Sequence, residues 1–191
     1  MRAVMTKVAL LLERSKDMDL FVALVSPTMS LSDHPTFALL DLSAPRWRKL
    51  IVYIPRPCLR VLSGTSFSRL QVLFGTAMPT NQDDVDTPVN TFQTAPSLRF
   101  VSIMSHETCD SLPLPWSRIE TYDCNSPNRN QWDGLKKFTA LKLLQIASLT
   151  HTSFDPSELP QITLPTVTSL RISEFVDHPP RQRSSGFGVP L

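Results

Sequence analysis

The residue types needed for covalent catalysis come together once in this sequence, in "SHETCDS", where His106, Cys109 and Asp110 lie within one short stretch. A Cys–His nucleophile needs a thiolate, an oriented base and donors for the developing oxyanion. This stretch supplies the side chains in a loop-like composition, and nothing around it marks an oriented base or an oxyanion site. No enzyme is therefore expected. Metal chemistry fares no better. The three cysteines, Cys58, Cys109 and Cys124, and the four histidines, His34, His106, His151 and His178, show neither C-x2–4-C nor H-x3–5-H spacing. No metal or other cofactor is expected. The adjacent carboxylates Asp83 and Asp84 sit in "PTNQDDVDTP", which reads as a solvated loop. Trp47, Trp116 and Trp132 have the rings to stack on bases, but they lie far apart in a chain whose net charge is only +2, and core packing is the better account of the first two. Nucleic acid is not an expected partner.

The elements that would position these groups begin with an odd ratio, Pro 17 against Gly 5. Phosphate-cradling loops need glycine, and neither GxGxxG nor GxxxxGK[ST] occurs. Prolines in this number predict many short elements, repeatedly stopped and restarted. An odd set of widely spaced cysteines favours reduced thiols in an intracellular protein, cytoplasmic or nuclear. Near the start, "VALLL" is too short for a signal segment or a membrane span, so no membrane is expected as a partner.

One phrase recurs, with the spacing apolar-x-x-apolar-x-apolar. It is "WRKLIV" (Trp47, Leu50, Val52), then a weaker "LQVLFG" (Leu70, Leu73, Gly75), then "LRFVSI" (Leu98, Val101, Ile103). "IETYDC" (Ile119, Tyr122, Cys124), "LKLLQI" (Leu141, Leu144, Ile146) and "VTSLRI" (Val167, Leu170, Ile172) complete the set. First positions fall at 47, 70, 98, 119, 141 and 167, in steps of 23, 28, 21, 22 and 26 residues. These steps lie inside the roughly 20–29 residues of leucine-rich repeats. The asparagine or cysteine that regular repeats place three residues after the last strand position is missing. Pro55, His106, Pro127, Leu149 and Phe175 stand there instead. The expected fold is α/β: an irregular leucine-rich-repeat solenoid with a parallel sheet and short helical or irregular crossovers, spanning residues 1–176, with 177–191 a disordered tail.

Helix signals fill the intervals. Val4, Val8, Leu11 and Leu12 share one helical face, and "DLFVALV" (19–25) reads as a buried strand. "DHPTFALLDL" predicts a helix capped by Asp33 with Pro35 in its first turn. "CLRVLSG" predicts a short turn ended by Gly64, "DTPVNTFQTA" a helix capped by Asp86 or Thr87, and "FDPSELP" one capped by Asp155.

"TFQTAPSLRFVSI", "LPLPWSRIETYDC" and "ITLPTVTSLRI" resemble, in this order, the repeat phrases of mushroom-type fungal F-box proteins with leucine-rich repeats. "LLERSKDMDLFVALV" is similar to that family's "LxRSxxxPLxLxL" stretch, and "HPTFALLDLSAPRWRKLIVYIPRPCLRVLSG" to its next helix and "RWRxLxxxxP" strand. The resemblance runs from about residue 10 to residue 175. It implies the substrate-recognition region of a subunit of a Skp–cullin ubiquitin ligase. The family's F-box and "VCxxWRxIAxxTPxLW" segment would precede Arg14 and Ser15, and neither is seen in the dozen residues before them. The ligase adaptor is accordingly not an expected partner, whereas a protein substrate is. The alternative is a truncated orphan fragment without retained function.

Strand geometry then nominates a surface. Side chains alternate, so if the recurring apolar positions face the core, the residues between them face the concave side of the sheet. Those residues are Lys49 and Ile51, Val72 and Phe74, Phe100 and Ser102, Thr121 and Asp123, Leu143 and Gln145, and Ser169 and Arg171. Ile51, Val72, Phe74, Phe100 and Leu143 would form an apolar patch there, of the kind that marks partner sites. Covering of that patch by flanking segments is the competing reading.

Overall fold

A computed structural model describes residues 2–26, 35–55, 59, 62, 64–78, 90–103, 114–125, 132, 134–149 and 161–175. Seven strands form one sheet in sequence order: β1 (Leu20–Val25), β2 (Trp47–Pro55), β3 (Val72–Met78), β4 (Phe100–Ile103), β5 (Thr121–Asn125), β6 (Leu143–Leu149) and β7 (Ser169–Phe175). Every neighbouring pair is parallel. The chain is thus α/β in kind, with a parallel sheet and few helices. Helix α1 (Arg2–Ser15) precedes β1 and α2 (Pro35–Leu42) precedes β2. Single 3-10 turns, Ala44–Arg46, Asn90–Phe92, Trp116–Arg118 and Leu135–Lys137, lead towards β2, β4, β5 and β6.

The strand register follows the recurring spacing. Leu50, Leu73, Val101, Tyr122 and Leu144 stand side by side across β2 to β6, and Val52, Gly75, Ile103, Cys124 and Ile146 form the next row. Both rows are buried apart from Gly75, and so are the leading residues Trp47, Leu70, Leu98, Ile119 and Leu141. Fully burying one such aliphatic side chain stabilises by about 1.5–3 kcal/mol relative to leaving it exposed. Aromatic rings fill the wider gaps behind the sheet. Phe67 lies 5.7 Å from Trp47 and 5.4 Å from Phe92, and Phe138 lies 5.0 Å from Trp116 and 4.8 Å from Tyr122.

The starts of β4 to β7 are held by the same device. The Gln71 carbonyl accepts from the amides of both Arg99 and Phe100, at 3.0 Å each. The Arg99 carbonyl does the same for Glu120 and Thr121, the Glu120 carbonyl for Lys142 and Leu143, and the Lys142 carbonyl for Thr168 and Ser169. Hydroxyls repeat a second link between neighbours. Ser68 Oγ donates to the Pro45 carbonyl, Ser97 Oγ to that of Ser68, and Thr139 Oγ1 to that of Ser117.

Several buried polar groups find partners, as a water-free interior favours, although the buried Trp132 Nε1 has none among the described residues. Trp47 Nε1 donates to Ser43 Oγ at 2.9 Å, and that hydroxyl donates to the Leu40 carbonyl, closing α2. Thr91 Oγ1 bonds the Leu59 carbonyl at 2.9 Å. Helix α1 ends at Lys16, which adopts a left-handed φ of 42°, and the Arg46 guanidinium reaches Ser15 Oγ and the Leu12 carbonyl. Leu59 and Leu62 are buried, and Gly64 closes their turn at φ 98°, where a side chain would be strained.

Three expectations need correction. The strand at 20–25 is an edge strand rather than a buried one: Phe21 is 76% exposed, Val25 is exposed, and Leu24 alone is buried. Every position there is apolar, so alternation was invisible. Leu170 and Ile172 complete the two core rows in register, yet they are 57% and 68% exposed, because no further strand among the described residues lies beside β7. On α1, Val4 and Leu11 are exposed and only Val8 and Leu12 are half-buried, so the helix covers less of the core than its apolar face suggests. The expected caps at Asp33, Asp86, Thr87 and Asp155, and the tail 177–191, lie outside the described residues.

Candidate functional site

The residues between the core positions do share one face of the sheet. Its first row runs Phe21, Lys49, Val72, Phe100, Thr121, Leu143, Ser169, and its second Ala23, Ile51, Phe74, Ser102, Asp123, Gln145, Arg171. Because parallel strands stack in register, side chains far apart in sequence become neighbours about 5 Å apart.

The two ends of this face differ in chemistry. From β1 to β4 it is mostly apolar. The Phe74 and Phe100 rings meet at 5.0 Å, and the Lys49 ammonium lies 4.7 Å from the Phe74 ring centre, over its negative face. Ile51 is exposed, whereas Lys49, Val72, Phe74 and Phe100 are half-buried. A shallow depression of about 260 Å³ opens among Phe21, Val22, Ala23, Lys49 and Ile51. From β5 to β7 the face is mostly polar. Thr121, Asp123, Leu143 and Gln145 are half-buried, and Ser169 and Arg171 are exposed.

Ser102 departs from expectation. It was expected to be exposed, but it is only 5% exposed and donates to Asp123 Oδ2 at 3.1 Å. Its short side chain sits between Phe74 and Asp123 in its row, and those larger groups shield it. Ser102 is therefore available to a partner only through Asp123.

Two sets of residues escaped the sequence reading. Phe21 and Ala23 extend the apolar end of the face by one strand. The other set is the second position of each recurring phrase, Arg48, Gln71, Arg99, Glu120, Lys142 and Thr168, which forms a polar row along the strand starts. Arg48 bonds Asp19 and Gln71, Arg69 pairs with Asp19 at 3.5 Å, and Glu120 lies between Arg99 at 3.6 Å and Lys142 at 2.7 Å. The hydrogen bond from Lys142 and its charge, with a further contribution from Arg99, hold the Glu120 carboxyl below its ordinary value of 4.5. The signal lay in the phrases themselves, as a hydrophilic residue after each leading apolar one.

Comparison with family models, curated proteins and solved structures gave no significant match to this chain.

No cluster of three metal-ligating side chains occurs among the described residues, and none of their helices is long and apolar enough to cross a membrane. Cys124 is buried, and its Sγ lies 3.7 Å from the Gln145 carbonyl oxygen. His106, Cys109 and Asp110 lie outside the described residues, as do Cys58, Asp83, Asp84, His34, His151 and His178. The open face offers aromatic and aliphatic area with one ammonium at one end, and amide, hydroxyl, carboxylate and guanidinium groups at the other.

Proposed function

We propose that this chain is a non-enzymatic protein-interaction module, an irregular leucine-rich-repeat array that captures a protein through the open, concave face of its sheet. The resemblance to fungal F-box proteins assigns it the role of substrate recognition for a Skp–cullin ubiquitin ligase. The supporting observation is the apolar run Phe21, Ile51, Phe74 and Phe100, which reaches solvent on the face opposite the core. An exposed aromatic and aliphatic run beside a polar stretch is the composition of a binding surface with an anchoring centre and a hydrogen-bonding margin.

Panning a displayed random-peptide library on the purified chain tests this reading. Wild type should enrich a family of related peptides, and the Phe100→Ser/Leu143→Ser variant should not, while its circular dichroism spectrum and melt stay near wild type. Equal enrichment by both proteins would move the binding surface elsewhere. Absence of enrichment by wild type would favour the orphan-fragment alternative.

A further inference from the structure

Among the described residues, the charge at the apolar end of the open face has no carboxylate paired with it. Four ion pairs organise the strand starts nearby, and all of them join Arg48, Arg69, Arg99 or Lys142 to Asp19 or Glu120. Lys49 takes part in none. Among the described residues its ammonium has the Phe74 ring, at 4.7 Å, as its recorded contact and no carboxylate within ion-pairing distance. It also borders the depression formed with Phe21, Ala23 and Ile51. One residue earlier on the same strand, Arg48 shares the single Asp19 carboxylate with Arg69, so this corner carries an excess of positive charge.

We propose that this corner, at β1 to β3, receives an extended peptide segment of the partner in which an apolar side chain and a carboxylate stand two residues apart, on the same side of the extended chain. The apolar side chain enters the depression against Phe21 and Ile51, and the carboxylate meets Lys49. This rests on the interaction-module reading and specifies the chemistry of its partner. Three features select this occupant. An extended chain repeats its side chains with period two, matching the spacing of the rows on the open face. The depression is large enough for one side chain rather than a free small molecule, and its walls are apolar apart from Lys49. An ammonium held on an aromatic ring is partly desolvated already, so a carboxylate gains more from it than from a fully hydrated lysine.

The test uses the full chain and three labelled synthetic decamers in which every second residue is in turn Leu and a test residue, so that both share one side of the extended chain, with Thr at the intervening positions. The test residue is Glu in one, Gln in another and Lys in the third, and binding is followed by fluorescence anisotropy. Wild type should bind the Glu peptide about fivefold or more tighter than the Gln peptide, with the Lys peptide weakest. The Glu preference should shrink in 1 M salt, where the Debye length falls to about 3 Å. Lys49→Met should equalise the Glu and Gln peptides while keeping apolar binding, and Lys49→Glu should invert the order. Lys7→Glu, on exposed α1, changes the net charge as much and should leave the order intact.

Equal binding of the three peptides by wild type would overturn the inference. So would an unchanged order in Lys49→Glu, or the same loss of preference in Lys7→Glu. Failure of all three peptides to bind overturns it too. If panning still enriches peptides in that case, the interaction-module reading survives alone. If panning enriches nothing, both fall together.

Discussion

The two faces of the sheet are built from alternate residues of the same strands, yet they obey different rules. The core face is uniform from β2 to β6: a large apolar residue in nearly every place, buried, in two straight rows. The open face changes character half-way, from Phe74 and Phe100 to Asp123 and Gln145. A packed interior leaves each core position few acceptable side chains. A solvent-facing position with the same backbone accepts almost any. What one repeat has in common with the next is therefore on the core face, and what distinguishes this molecule from another of its architecture is on the open one.

Adjacent leucines give the hardest test of that contrast. Leu144 is 2% exposed, and Leu144→Asp should cost about 4 kcal/mol or more by burying an unpaired charge, enough to unfold the array. Leu143→Asp places its carboxylate on the open face and should cost about 1 kcal/mol or less. Denaturant titrations of the two variants check this, and equal losses would break the assignment of faces.

The next test compares the middle of one core row with its end. Leu170 continues the row of Leu144 but is more than half exposed, so Leu170→Asp should cost about 1 kcal/mol or less. A melt as low as that of Leu144→Asp would show that β7 is covered in solution.

Two smaller effects sharpen the picture. Gly75 is the one core-row position in β2 to β6 without a side chain, and a Cβ there would sit 3.4 Å from the Val52 carbonyl oxygen, an ordinary contact. Gly75→Ala should stabilise by about 0.5–1 kcal/mol through reduced freedom of the unfolded chain, seen as a raised denaturant midpoint. Glu120 tests the polar row at the strand starts. Its carboxyl is held below its ordinary 4.5, so its contribution is present above that value and is lost as pH falls through the lower folded one. Glu120→Gln should lower stability slightly at neutral pH, and the gap to wild type should close below pH 4.5 and in high salt.

Much of this was legible in the sequence, for a physical reason. The spacing of Trp47, Leu50 and Val52, repeated down to Ile146, gives both the parallel register and the side of the sheet each residue occupies, because burial constrains those positions directly. What failed to show was set by neighbours rather than by period. Leu170 and Ile172 match the pattern as well as Leu144 and Ile146, yet they are exposed on a strand beside which no further strand lies among the described residues. Ser102 follows the alternation correctly, and its burial comes from the sizes of Phe74 and Asp123 on adjacent strands. In "DLFVALV" both faces are apolar, so Phe21 could not be told from Val22 before the strand was placed at the sheet edge.

The carbonyl that accepts two successive amides at the starts of β4 to β7 bears on how such a chain can evolve. From β4 to β7 the same clasp recurs although the leading residues of successive phrases are 21 to 28 residues apart. Insertions and deletions between strands are therefore neutral to register: a lineage can lengthen or shorten any connection without moving a single residue from one face to the other. Point substitutions on the open face and length changes in the connections then become independent axes of variation. Such a chain can change its open face rapidly while its scaffold stays still.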